Sequence, residues 1–231
     1  MNAVFIDRRE AGKKLAKQLT SYANHPQAIV LGLPRGGVPV AYEIANNLNL
    51  PLDVCLVKKL GLPNYPETAM GAIAEAALIH DYSGKITIID ENITQSNDVD
   101  QPQIAALAAI AKAELRWREC CYRHHRPMLK IKGSVVIVVD DGVATGLTMH
   151  AAVTVLQQHQ PQKIIIATPV AAQKTIEQLE TLVDEITCLV TPKSFSAVGF
   201  WYEDFSQVSD QEVCNLLSQQ THKTLAESVR S

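Results

Sequence analysis

Val135-Val136-Ile137-Val138-Val139-Asp140-Asp141-Gly142-Val143-Ala144-Thr145-Gly146-Leu147-Thr148 is the stretch on which the fold turns. Five apolar, mostly β-branched residues run straight into two carboxylates, which reads as a buried strand ending at the edge of a sheet. A short Gly/Thr loop then opens a helical pattern from Thr148 to Gln158. Loop amides at the positive end of a helix suit a phosphate dianion, and Thr145 and Thr148 add hydroxyl donors. Gly146 permits close backbone approach. Asp140 and Asp141 suit the opposite partner: sugar hydroxyls, a hydrated magnesium ion or a developing cation. Donors to a phosphate beside acceptors to a sugar describe a ribose 5-phosphate.

Outward from this stretch, Ala28 to Leu33 and Ile164 to Val170 read as further buried parallel strands. Leu52 to Val57 is a fourth, interrupted by Asp53 and Cys55, and Glu185 to Val190 is a fifth. Helical patterns at Val38 to Leu48, Thr148 to Gln158 and Ala172 to Leu182 alternate with them. This alternation predicts the α/β class, with right-handed crossovers and a parallel sheet covered on both faces. Ligands of such sheets bind at the C-terminal ends of the strands. Gly71 to Asp90 departs from the alternation, with two strand-like runs around a turn at Asp81-Tyr82-Ser83-Gly84. Ile104 to Tyr122 reads as a helix with Ile104, Leu107, Ala108, Ala111 and Leu115 on one face. Its basic end (Arg116, Arg118, Arg123, Arg126, Lys130, Lys132) reads as a solvated helix terminus, with cations favoured by the dipole. Ser209 reads as the N-cap of a last helix to Leu217, with Glu212 three residues on.

Two more segments carry chemistry. In Leu31-Gly32-Leu33-Pro34-Arg35-Gly36-Gly37-Val38-Pro39-Val40, Arg35 offers a planar fork for phosphate oxygens, and Gly36 and Gly37 let amides reach a ligand. Val57-Lys58-Lys59-Leu60-Gly61-Leu62-Pro63-Asn64-Tyr65-Pro66-Glu67 follows the predicted second strand, with a lysine pair and then a Gly/Pro-rich run. No G-x-x-x-x-G-K-[ST] or G-x-G-x-x-G occurs, which argues against P-loop and Rossmann nucleotide sites.

The acidic pair followed by Thr145-Gly146-Leu147-Thr148 resembles the signature of the type I phosphoribosyltransferases, which bind phosphoribosyl pyrophosphate (PRPP). The resemblance spans about residues 1 to 220 and is greatest to bacterial members of undefined acceptor. It implies one domain over 1–231: a core at about 25–80 and 133–190, an insertion at about 81–132, and a hood from the N-terminus and about 191–231. It further implies that Gly142, Val143, Ala144, Thr145, Gly146, Leu147 and Thr148 bind the 5-phosphate. Arg35, Gly36, Gly37, Lys58 and Lys59 bind pyrophosphate, Lys58 being the favoured lysine, and the run after it forms a lid. Asp140 and Asp141 hold the ribose, and the metal only indirectly, through water or ribose hydroxyls. The implied cofactor is magnesium, and the implied reaction is displacement of pyrophosphate by a nitrogen nucleophile. In Thr191 to Phe205, the rings of Trp201, Tyr202 and Phe205 either stack on a flat acceptor or plug the tail onto the core. One departure is Ala144, where purine-salvage members often carry an acid, although other branches also lack it; Glu67, Glu75 and Glu203 are the candidate substitutes. A non-catalytic PRPP- or phosphosugar-binding regulator is the alternative function.

The 231 residues, 47% hydrophobic with a net charge of -3, describe an ordinary globule without a basic nucleic-acid footprint. No apolar run reaches ~18 residues, and the N-terminus lacks a signal peptide's apolar core. Five scattered cysteines without C-x-x-C spacing fit reduced thiols. The expected setting is cytoplasmic, with small-molecule partners, no membrane and no nucleic acid; a homodimer is implied by the resemblance alone.

Overall fold

A computed structural model of the chain describes residues 4–65, 68–75, 85–89, 91–124, 126 and 128–228. In chain order these form α1 (Arg8–Gln18), β1 (Ala28–Gly32), α2 (Gly37–Leu48), β2 (Leu52–Val54), β3 (Val57–Gly61), β4 (Ala69–Glu75), β5 (Lys85–Ile89) and α3 (Glu91–Ser96). There follow α4 (Gln101–Arg123), β6 (Val135–Val139), α5 (Leu147–Gln158), β7 (Lys163–Val170), α6 (Gln173–Leu179), β8 (Glu185–Val190) and α7 (Asp210–Ser228). None of these helices is long and apolar enough to cross a membrane.

Five strands make one parallel sheet in the order β2-β1-β6-β7-β8. Every residue of β1 and β6 is buried, because helices cover both faces. Val30, Ile137, Val139, Ile165 and Ala167 point into a core shared with α1, α2, α4 and α7. Their neighbours Ile29, Leu31, Val136, Val138 and Ile166 point into a second core, filled by Met149, Val153 and Leu156 of α5 and by Ile176 of α6. β1 leads through α2 outward to β2, whereas β6 leads through α5 to β7 on the other side. The order therefore reverses between β1 and β6, and a crevice opens at their C-terminal ends, where open α/β sheets place ligands.

The predicted Leu52–Val57 strand is two elements. β2 stops at Val54, and β3 starts a separate antiparallel sheet in the order β3-β4-β5, packed against α4 and α5. Buried Asp53 explains the interruption: Arg123 reaches it with Nε 3.1 Å from Oδ1, and the Leu129 amide donates to its Oδ2 at 3.3 Å. The basic helix end is thus not simply solvated, since Arg123 is 3% exposed and also donates to the Val54 carbonyl. The two runs within Gly71–Asp90 form β4 and β5, while the turn at Asp81–Gly84 lies outside the described residues, as does Glu67. Ser209 caps α7 as expected, its hydroxyl accepting from the Glu212 amide at 3.1 Å. All five cysteines are free thiols.

Candidate active site

Two loops, a hundred residues apart in sequence, meet at the β1/β6 crevice. The Leu33 amide donates to the Val139 carbonyl at 2.8 Å, which seats the Leu33–Gly37 turn beside the acidic pair. Within that turn the Pro34–Arg35 peptide is cis. Its glycines are required by proximity rather than by unusual dihedrals. A Cβ on Gly36 would lie 2.0 Å from Asp141 Oδ2, and one on Gly37 2.5 Å from the Val139 carbonyl. Gly37 does not offer its amide to a ligand, as the sequence suggested, because that amide donates to Leu33. Gly36 retains that capacity, with no protein acceptor for its amide among the described residues.

Asp140 Oδ1 accepts the Asp141 amide at 2.9 Å. Burial, and then the charge of Asp141, push the Asp140 carboxyl well above the usual carboxylate range, and Lys59 acts against the shift. Burial raises Asp141 as well, opposed by the guanidinium of Arg8. Arg8 Nε lies 2.7 Å from Asp141 Oδ2. The Tyr202 hydroxyl donates to the Asp141 backbone carbonyl at 2.6 Å. The pair therefore stands at the crevice in a low-dielectric setting where each carboxylate is sensitive to a nearby cation.

Beyond the pair, the predicted anion cradle divides. Val143 belongs to the framework: its side chain is 3% exposed, its amide donates to Val170 at 2.8 Å, and its carbonyl accepts from Ala172. The Ala144 carbonyl accepts the Thr175 hydroxyl at 2.6 Å. From Ala144 to Met149, by contrast, the amides meet no protein acceptor among the described residues, and they sit at the N-terminus of α5. Gly146 is the N-cap, at φ +75°, and a Cβ there would strike Thr175 Cγ2 at 2.7 Å. Thr145 is exposed and Thr148 half-buried, both beside these amides.

The lysines separate as well. Lys58 and Lys59 lie on β3 rather than on a loop after the second strand, and Lys58 Nζ is 2.8 Å from Glu114 Oε2. Lys59, the neighbouring lysine on β3, acts weakly against the upward shift of Asp140. Where the lid is expected, the Leu62 amide donates to the Thr68 carbonyl at 2.9 Å, and Pro66 and Glu67 lie outside the described residues. Arg35 faces the crevice from the other side, 3.6 Å from Asp210 on α7. A cavity of about 340 Å³ opens there, lined by Arg8, Arg35, Gly36, Asp141, Phe205 and Gln207 among others.

Of the rings in the 201–205 segment, Tyr202 plugs tail to core. It is 5% exposed, and its ring lies 5.3 Å from that of Phe5 and 5.1 Å from that of Phe205. Phe205 borders the cavity, Trp201 is half-buried, and Glu203 is exposed. The residue that the sequence reading missed is Arg8. Its signal lay in Asp7-Arg8-Arg9-Glu10: Asp7 caps α1 by accepting the Glu10 amide, which leaves a cation in the first turn, where a helix disfavours it.

The chain matches the family model described as "Phosphoribosyl transferase domain" over residues 7–203. Two curated proteins of Mycobacterium tuberculosis, each named "Putative phosphoribosyl transferase" and coming from two different strains, are 37% identical to it over 225 residues. That similarity covers 97% of this chain and 48% of each relative, so the chain spans about half the length of the curated proteins it matches. The crystal structure of a Thermus thermophilus protein, TT1426, is 39% identical and superimposes with a TM-score of 0.76, covering 95% of this chain and 99% of that one. With its parallel sheet and its family match, the chain belongs to the phosphoribosyl transferase domain family.

Proposed function

We propose that the protein displaces pyrophosphate from C1 of PRPP with a nitrogen nucleophile. The bond from the acceptor nitrogen to C1 forms as the bond from C1 to the pyrophosphate oxygen breaks. Pyrophosphate leaves with the electron pair, and the nitrogen's proton passes to solvent or a base. One observation carries this reading: the sheet's reversal point brings a carboxylate pair between an unclaimed amide cradle and an Arg/Gly turn. The distribution of charge fits a reaction in which the ribose gains positive and pyrophosphate negative character. Positioning and electrostatics then do most of the catalysis.

In this reading Asp140 and Asp141 hold the ribose and favour its developing charge. The amides from Ala144 onward, with Thr145 and Thr148, anchor the 5-phosphate. Arg35, Gly36 and Lys59 hold pyrophosphate. The two adjacent carboxylates also fit a magnesium ion arriving with pyrophosphate, since they can accept from its water shell and magnesium seldom takes an all-protein cage. When bound, the ion neutralises charge on the leaving pyrophosphate. In this reading the hood over the acceptor comes from the described segment before α1 and the 191–209 stretch, since α1 and α7 pack onto the sheet, and a cytoplasmic setting fits both substrates.

The test measures pyrophosphate release from PRPP and magnesium across a panel of nucleobases and small amines, with calorimetry of PRPP alone beside it. Release with one acceptor, lost by at least about two orders of magnitude in an Asp141→Asn protein that still unfolds in one cooperative transition, is the expected result, with Tm lowered by the weakened Arg8 contact. PRPP binding with no release for any acceptor would instead favour the regulator. Release at wild-type rate in Asp141→Asn would remove that residue's assigned role.

A further inference from the structure

Arg8 stands where its own helix least favours it. The first turn of α1 carries the positive end of the helix dipole, which stabilises anions there and disfavours cations. Yet this side chain is fixed from three sides. Nε lies 2.7 Å from Asp141 Oδ2, Nη1 lies 2.8 Å from the Ser206 carbonyl, and the guanidinium sits 3.9 Å from the centre of the Phe205 ring. The Arg8 and Asp141 side chains are only 11% and 13% exposed. Asp141 is confined elsewhere too, by the Tyr202 hydroxyl on its carbonyl and by Gly36 packed against its carboxylate. These contacts join four chain segments: the start of α1, the Leu33–Gly37 turn, the 202–206 stretch and the acidic pair.

We infer that Arg8 is a positioning residue, holding Asp141 in the one orientation that receives the ribose and tying it to the docked 202–206 segment. The inference rests on the phosphoribosyl-transfer reading of the site and names a residue that this reading leaves without a role. Arg8 also borders the 340 Å³ cavity that Asp141 lines, so it acts on the carboxylate from within the crevice. A fork that binds Asp141 and Ser206 together cannot be replaced by a point charge, which is why lysine is a partial substitute only.

The experiment titrates wild type, Arg8→Ala and Arg8→Lys with PRPP plus magnesium and, separately, with pyrophosphate plus magnesium. Hydrogen bonds to charged groups contribute on the order of 1.5–3 kcal/mol, so Arg8→Ala is expected to lose PRPP affinity by roughly 10- to 100-fold. Pyrophosphate, which carries no ribose, is expected to bind within about twofold of wild type, and Arg8→Lys to recover part of the PRPP loss. Where Arg8→Ala does not fold, Arg8→Gln carries the same comparison with the same expected split. The inference is overturned if the variant binds PRPP as tightly as wild type or more tightly, the latter marking Arg8 as a competitor of the ribose. Parallel loss of both ligands overturns it as well, because a merely structural role has that signature. A wild-type protein that binds pyrophosphate or nothing, but never PRPP, overturns the transferase reading itself and is told apart by the wild-type titration.

Discussion

Replacing Gly36 by alanine adds one methyl group at the tightest point of the site. The residue has φ -61° and ψ -34°, a helical conformation open to alanine, so the backbone itself takes no strain. On the unfolded side the substitution stabilises by about 0.4–1 kcal/mol. The new Cβ, however, would lie 2.0 Å from Asp141 Oδ2 and 2.5 Å from its Cγ. To regain ordinary contact the carboxylate must retreat by roughly 1 Å or more. That retreat breaks the 2.7 Å contact with Arg8, with a loss on the order of 1.5–3 kcal/mol. The net destabilisation is about 1–2 kcal/mol, or roughly 2–8 °C in Tm for a chain of this size. PRPP affinity is expected to fall about tenfold or more, because the displaced carboxylate is the one assigned to the ribose. Thermal melting and calorimetry measure the two quantities. Gly133→Ala serves as control: φ is +74° and nothing lies within 4 Å of its Cβ, so about 1–2 kcal/mol of backbone strain leaves ligand binding untouched. A Gly36→Ala protein that melts no lower than wild type and binds PRPP within twofold refutes the reasoning.

Three further outcomes follow from the same structure. Arg123→Ala strands the buried carboxylate of Asp53 and is expected to lower stability by about 3–5 kcal/mol, read as a shifted urea midpoint with unchanged slope. Tyr202→Phe removes the donor to the Asp141 carbonyl; a loss of about 0.5–1.5 kcal/mol is expected, and unaltered melting would show the hydrogen bond to be without consequence. Lys163, and after it Tyr22, hold the Glu185 carboxyl below its usual range. A depressed carboxylate stabilises the fold above its unfolded value near ~4.3, and that contribution vanishes as pH falls through the lower folded value. Glu185→Gln is therefore expected to lower Tm slightly at pH 7 and not at all in strong acid. The size is about 0.2–1 kcal/mol, because the Glu185 side chain is 37% exposed. A deficit that persists in acid would contradict this sign.

The central strands of the parallel sheet were legible because burial on both faces writes them as unbroken apolar runs, and Val135–Val139 matches the structure residue for residue. The half-buried edge strand Glu185–Val190 matches too, on its β-branched Ile186, Thr187 and Val190. β3 was not legible. Val57–Gly61 reads as the end of the preceding strand and the start of a loop, because its antiparallel partner is supplied from β4. The glycines of the Leu33–Gly37 turn were visible, but their reason was not, since the crowding atoms belong to Val139 and Asp141. Tyr202 was equally ambiguous, because a ring that stacks on a ligand and a ring that plugs a core have the same sequence.

What the sequence determined by itself was local: a strand that ends in two acids, a threonine-flanked helix entry, and the αβ alternation that makes the sheet parallel. Periodicity and turn chemistry act within a few residues, so they can be read along one segment. Which group each cation lies beside came only from the tertiary structure. Lys58 pairs with Glu114, and Arg8 reaches Asp141 across 133 positions. Charges choose partners by distance through space in a medium of low dielectric, and those distances exist only once β1 and β6 lie side by side.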